Sequence, residues 1–406
     1  MPFIEFGTKE YTRTFLSMLI GSIVTFAILY FPQSLITVFS DEFSISPSTA
    51  SFSLSFATIA LACSMLIISV ISNAWGRKKM MGASLLIASI LTIAASFSPN
   101  FETLIILRVL QGIAISGFPA VAMTYLSEEI SPRHYGRILG IYIAGSAFGG
   151  FLGRLIASIF TDFFSWHMAS LILGILSLAG SLLFLMYLPE SKHFSKTALS
   201  VQSWAAGMIS GLKDRKLLYL YGLGFLFMGV YVSLFNYIGF PLSSPPFLLS
   251  HTMIGLLFIF QLTGSWSSVF FGKLTERFSR SALISCSIVL LVIGGLLTLS
   301  EQIAVLMLGL ILFASGFFAG HTVASSWVGV MSPPKIRTYT SSLYLLFYYT
   351  GSSFIGWLGG LFLSSFGWDG VIWMICGFLV FSSILVLKLS WPLSIFKIQK
   401  TTHKTH

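Results

Sequence analysis

Charge is what this chain has least of. Of 406 residues, 9% are Asp, Glu, Lys or Arg, against about 25% in an ordinary soluble domain. So few charges cannot cover a solvated globule. Acids are the scarcer sign, with 13 Asp and Glu against 23 Lys and Arg, a net charge of +10. That excess would suit nucleic acid, but the basic residues fall in short turns between apolar runs and form no patch. No nucleic-acid partner is expected. Cysteine is almost missing: Cys63, Cys286 and Cys376 are odd in number and lie inside apolar segments, which suits neither a disulfide framework nor a metal site. No phosphate-binding glycine loop, metal-ligand cluster or nucleophile constellation is found. An ATP-driven pump, an enzyme and a bound cofactor are therefore not expected. No cleavable leader is expected either, because residues 1–13 are polar and the first apolar run is too long for one.

What is there is apolar residue in long runs: 55% of the chain, with a mean hydropathy of +0.90. Crossing hydrocarbon takes about 20 helical residues. Twelve runs meet that length, near 14–38, 48–72, 80–98, 103–127, 137–160, 167–188, 216–240, 251–273, 281–299, 302–330, 338–363 and 370–389. All but two of the Lys and Arg residues fall on one side of the resulting serpentine, including those of the 189–215 linker and the tail. The other side holds only Asp41, Glu42, Glu102, Asp162, Glu301 and Asp369. The positive-inside rule puts both termini in the cytoplasm, and an even number of spans requires the same.

The two halves of the chain repeat each other. GSAFGGFLGRL at 145–155 aligns without gaps to GSSFIGWLGGL at 351–361. SGF at 116–118 recurs at 315–317, Ser131-Pro132 recurs as Ser332-Pro333, and Asn73 with Arg77 recurs as Glu276 with Arg280. The offset hardly changes. The expected architecture is all-α: a bundle of six helices over 1–188, a cytoplasmic linker over 189–215, a second bundle over 216–389 and a tail over 390–406. A pseudo-twofold axis along the membrane normal would relate the bundles, with a site between them.

The two basic residues outside the turns, Arg108 and Arg154, lie within spans. A charge in hydrocarbon costs about 2.5–3.5 kcal/mol on insertion scales and by default marks a function. Arg108 shares a helix face with Gln111 and Gly112, and the matching second-half residue is Met307. It either faces a polar cavity or is a structural arginine, capped by carbonyls or reaching outward. Arg154 either lines the outer part of the cavity or reaches the interface. His321 matches Ala122 in the first half; it is a candidate proton carrier or a histidine bonded to a neighbouring helix. Asn236 and Gln261 are further polar residues within spans. Gly145, Gly149 and Gly153 recur every fourth position and let helix backbones touch. Ser352, Gly356 and Gly360 are expected to do the same in the second half. Around the turns, Asn73, Gly76 and Arg77, with Gly272, Glu276, Arg277 and Arg280, are candidates for a latch between the halves; alternatively their charges only set topology.

These motifs resemble those of the major facilitator superfamily over nearly the whole chain, from about Tyr11 to Trp391. Ser69 to Lys79 and Gly272 to Arg280 are similar to its loop signature G-x-x-x-D-R-x-G-R-K, with Asn73, Ala74 and Ser69 replacing the acid, a basic residue and the glycine. Arg108, Gln111 and Gly112 look like its R-x-x-Q-G motif, in which the arginine is linked with proton coupling. Gly145 to Arg154 resembles its antiporter motif G-x-x-x-G-P-x-x-G-G, found in exporters, with Gly150 for the proline and Arg154 for the last glycine. Many of its proton antiporters carry a mid-membrane carboxylate, which this sequence lacks. LPESKHF, SLFNYIGFPL, HTVASSW and SSLYLLFYYTGSS resemble the bacterial YnfM-type group, placed among drug–proton antiporters of the inner membrane.

The resemblance implies a monomeric secondary transporter of a bacterial inner membrane. It would export a small amphipathic compound in exchange for protons, with the two loops latching an outward-open state. An importer or facilitator of a metabolite or sugar, and a non-transporting receptor, are the alternatives.

Overall fold

The computed structural model describes residues 3–131, 133–194 and 201–390. Pro132, Lys196 of the linker and the tail beyond Ser390, with Lys397, Lys400 and Lys404, lie outside the described residues. Hydrocarbon offers no water to a backbone N–H or C=O, so a spanning segment must bond its own amides. The chain accordingly folds into helices, and among the described residues the nearest thing to a strand is a bridge between Ile4 and Ile130.

The first half contains α1 (Lys9–Glu42), α2 (Phe52–Trp75), α3 (Arg77–Ala95), α4 (Phe101–Glu129), α5 (Tyr135–Phe163) and α6 (Trp166–Tyr187). The second contains α8 (Arg215–Ser243), α9 (His251–Leu274), α10 (Arg280–Leu297), α11 (Ile303–Met331) and α12 (Arg337–Ser390). Polar side chains start the helices: Thr8, Asn100, Ser165, Asp214, Ser250 and Ser279 each accept a backbone N–H of the first turn, as helix N-caps do.

Helix α12 has 54 residues. At about 1.5 Å per residue it would run far past a hydrocarbon core roughly 30 Å thick. It does not run straight. Gly367 takes φ 67° and ψ −163° inside it, in the left-handed region that favours glycine. Trp368 Nε1 then donates to the Thr298 carbonyl at 3.2 Å, and Lys388 returns to lie 5.8 Å from the ring of Tyr219 at the start of α8. The helix is thus two antiparallel spans, which brings the total among the described residues to twelve.

One element has no counterpart in the twelve apolar runs. Helix α7, Val201–Lys213, lies inside the linker. Its Gly207 and Gly211 press against Tyr339 and Leu343 of α12, so this part of the linker is docked on the second half.

The apolar core follows the two halves. One cluster draws on residues between Ile4 and Leu188 with Tyr349 added; another draws on residues between Met208 and Leu389 with Leu54 and Phe151 added. A third cluster, around Phe31, Phe39, Trp166 and Tyr237, joins the halves at the end away from the termini. In the first half the glycine stripe lies at the contact between α5 and α1. A Cβ at Gly149 or Gly153 would meet the backbone of Ile23 or Ala27 at 2.5 Å, so α5 lies directly on α1. In the second half the register differs from the expected Ser352, Gly356 and Gly360. Gly351 meets the Phe225 backbone and Gly359 meets Ser233 and Tyr237, while buried Ile355 takes the place of Gly149. Gly360 instead faces the backbone of Ser48 in the first half, and Gly356 sits among Val232, Asn236 and Ser55. The shift by one residue follows from the 206-residue offset of the repeat.

Candidate functional site

A cavity of about 730 Å³ lies between the halves. The first half supplies Phe26 and Tyr30 from α1 and the face of α5 from Gly140 to Arg154. The second supplies Met228 and Tyr231 from α8, Gln261 to Val269 from α9, Phe317 to Ser325 from α11, and Tyr348 and Tyr349 from α12. Its lining runs from mid-bundle toward the end that carries the start of α1 and the basic turns around Arg77 and Arg277. Gly140 and Ser325 stand near the ends of their helices on that side.

The opposite end is shut by contacts between the halves. Asp162, at the end of α5, accepts the backbone N–H groups of His251 and Thr252 at 3.1 and 2.6 Å, placing a carboxylate on the positive end of α9. Gly255 of α9 lies against Ser158 of α5. Ser353 of α12 bonds Thr58 Oγ1 at 3.1 Å and donates to the Ser55 carbonyl at 2.8 Å. Gln33 Nε2 donates to Asn236 Oδ1 at 2.7 Å.

Arg154 forms the floor of the cavity. Its Nε donates to Gln33 Oε1 and its Nη1 to the Gly150 carbonyl, both at 2.8 Å. Nη2 makes no hydrogen bond among the described residues. Tyr30 and Phe258 flank the guanidinium at 4.6 and 4.9 Å from their ring centres, which offsets part of its lost hydration. No carboxylate lines this space. Two 3₁₀ turns, Phe31–Leu35 and Phe258–Leu262, hold Gln33, Phe258 and Gln261 around it; irregular backbone at membrane depth is tolerated where it borders such a cavity. Gln261 lines the wall with its Nε2 unpartnered.

His321 lines the cavity on α11. Its Nδ1 lies 3.0 Å from Tyr344 Oη, and its ring packs 4.7 Å from that of Tyr348 and 5.9 Å from that of Phe317.

Arg108, Gln111, Gly112 and Asn236 do not line the cavity. Arg108 is 0% exposed and is closed in by α1, α2 and α4. It donates to the carbonyls of Ser53, Ile28 and Leu29 at 2.7, 2.9 and 2.8 Å and to Gln111 Oε1 at 2.6 Å. Gln111 in turn donates to Thr92 Oγ1 at 3.0 Å. The cause lies in α1. The Ile28 carbonyl would ordinarily accept from residue 32, and Pro32 has no N–H. The guanidinium supplies the missing donors where α1 changes to a 3₁₀ turn. Gly112 leaves room for the Ala57 backbone beside it. Of the two readings open for Arg108, this geometry is that of the carbonyl-capped arginine.

The turn residues stay within their own halves. Arg77 makes a two-pronged pair with Glu128, Nε to Oε2 at 3.1 Å and Nη2 to Oε1 at 2.8 Å, and its Nη1 donates to Ser72. Gly76 provides the turn at φ 93°. Asn73 is helical, and its side chain lies outside the described residues. Among the described residues Glu276, Arg277 and Arg280 form no ion pair, and the buried Nε of Arg280 has no partner. Gly272 lies beside Thr322.

Sequence reasoning missed Gln33, Asp162 and Glu128. Gln33 carried a signal, a polar residue after Pro32 in an apolar run. Glu128 stands at the end of a span, where an acid is unremarkable. Asp162 reads as one more solvated acid.

The model of the Major Facilitator Superfamily matches residues 14–248 and 240–400. The chain is 42% identical over 375 residues to the uncharacterized MFS-type transporter YybF of Bacillus subtilis, covering 92% of this chain and 93% of that protein. It is 41% identical over 369 residues to the inner membrane transport protein YnfM of Escherichia coli, covering 91% and 88%. Among solved structures, the nucleoside transporter NupG superposes with a TM-score of 0.75 at 15% identity, covering 93% of this chain and all of that one. A bacterial homologue of the human lysosomal transporter Spinster also gives 0.75 at 15% identity, covering 95% and 97%. These likenesses and the twelve spans make the protein a multi-pass membrane transporter rather than an enzyme, and the chain belongs to the major facilitator superfamily.

Proposed function

We propose that the protein is a secondary transporter of a bacterial cytoplasmic membrane that exports a small amphipathic compound in exchange for protons. The bundles over 1–188 and 216–389 rock as units about the central cavity, joined by the 189–215 linker. The observation that carries this reading is the one-sided cavity: mid-bundle, shared by both halves, shut at one end by Asp162 and the Gln33–Asn236 bond. The positive-inside rule makes the open end cytoplasmic, and the likeness to the inner membrane transport protein YnfM supports an inner-membrane location. The shape is that of a cytoplasm-facing state, in which a latch between the turns 73–79 and 272–280 stands open. His321 is the group in the cavity whose ordinary titration lies nearest neutral pH, and it is the proposed proton carrier.

Alternating access is tested by locking the shut end. In a cysteine-free background, Asp162→Cys with Thr252→Cys is expected to stop transport when oxidised and to regain it on reduction. Transport that persists in the oxidised form sinks the rocking account. For coupling, inverted vesicles are expected to lose solute-driven proton movement with His321→Gln while solute binding stays. Transport indifferent to a collapsed pH gradient removes the proton part and favours the importer or facilitator reading.

A further inference from the structure

We infer that the cavity is built for an organic anion: a flat apolar body with one carboxylate or comparable anionic group, the charge seated on Arg154. This rests on the transport reading above and narrows it to a class of substrate.

The argument starts from charge. Arg154 is 3% exposed and borders the cavity. A buried cation is stable when paired and costly when not. All 13 acids of the chain lie outside the cavity: Glu5, Glu10, Glu128, Glu129, Glu190, Asp214 and Glu276 at the basic end, Asp41, Glu42, Glu102, Asp162, Glu301 and Asp369 at the other. The site therefore holds a fixed positive charge and no negative one. Neighbours orient the guanidinium through Nε and Nη1 and leave Nη2 without a hydrogen bond among the described residues. Gln261, a lining residue from the second half, adds a second donor without a partner, its Nε2. Donors without acceptors match an anion, since a carboxylate only accepts. A cationic guest would meet Arg154 as a like charge with nothing to offset it.

The apolar part follows from the rest of the lining. Tyr30, Tyr231, Phe317, Phe318 and Tyr348 surround the space above Arg154, with Tyr231 and Phe317 stacked at 3.9 Å. Aromatic walls with a few convergent polar groups suit a flat hydrophobic body held by one polar end.

The test is equilibrium binding to the purified full chain in detergent, using three probes that share a ring system and differ in charge: 2-naphthoate, 2-naphthamide and 2-naphthylmethylammonium. The carboxylate is expected to bind about tenfold or more tighter than the amide, the usual margin for hydrogen bonds to a charged group, and the ammonium weakest. Arg154→Gln should bring carboxylate and amide to parity. Arg154→Lys, checked for an unchanged melting temperature, should keep part of the preference. An amide or ammonium bound as well as the carboxylate overturns the inference, as does binding of none of the three. A preference that survives Arg154→Gln overturns the assignment to that residue. The oxidised Asp162/Thr252 cross-link separates the two levels. If it still arrests transport of a neutral or cationic solute, alternating access stands and only the anion class falls.

Discussion

The two halves share a scaffold and divide the chemistry. Both press a small-residue face of one helix onto its neighbour: α5 on α1 through Gly149 and Gly153, α12 on α8 through Gly351 and Gly359. Among the described residues the buried arginines, Arg77, Arg108 and Arg154, all belong to the first half, the last two within spans. The repeat puts Met307 where Arg108 stands and Gly360 where Arg154 stands. The second half contributes the polar groups His321 and Gln261. The repeat explains how the helices pack, and departures from it mark where the site was made. The two arginines also differ from each other. Arg108 is spent on backbone carbonyls, among them that of Ile28, which Pro32 leaves without its helical donor, whereas Arg154 borders the cavity with Nη2 unbonded among the described residues.

The sharpest break is to give the first half the second half's residue. Arg108→Met strips the donors from three carbonyls and Gln111. Each unsatisfied buried group costs about 1–3 kcal/mol, so little folded protein is expected by size-exclusion chromatography in detergent. If the role is to mend α1 at Pro32, then Pro32→Ala in the same chain restores an N–H for the Ile28 carbonyl and recovers part of the yield. An Arg108→Met protein that folds normally but fails to transport would return Arg108 to the coupling machinery.

Next in size is the packing pair. A Cβ at Gly153 meets the Ala27 backbone at 2.5 Å, which cannot yield locally; one at Gly359 meets side chains of Ser233 and Tyr237 at 3.0 Å. Gly153→Ala is expected to cost about 1–3 kcal/mol and Gly359→Ala less than about 1, read as loss of melting temperature. Equal losses would mean that the second seam is as rigid as the first.

The spans and the repeat were legible in the sequence because hydrocarbon demands about 20 apolar residues per crossing and because the segment 145–155 recurs without gaps at 351–361. Even the turn at Gly367 lies between two expected runs. Helix α7 was not legible, being short and mixed in composition. Nor was the difference between Arg108 and Arg154. Each is an arginine in an apolar helix, and which way it points depends on helix rotation and, for Arg108, on Pro32 in α1. The turn residues were legible as motifs, but their partners were not, since Glu128 is brought to Arg77 by the packing of α4 on α3 and α2.

The smallest effect compares the two turns. Arg77 holds Glu128 in a two-pronged pair, with the Glu128 side chain 25% exposed. Arg280, its repeat mate, has no acid to meet in the same place, because the residues matching Glu128 and Glu129 are Gly329 and Val330. Partly exposed pairs are worth roughly 1 kcal/mol or less. Arg77→Ala is therefore expected to lower the melting temperature slightly, and Arg280→Ala to leave it within error. In transport the order should reverse if Arg280 is held free for the opposite state. Its unpartnered Nε then finds an acceptor only when the basic end closes, so Arg280→Ala slows turnover while Arg77→Ala changes it less. Turnover unchanged by Arg280→Ala would reduce its turn to a topological charge and leave the first half as the only one with a working pair.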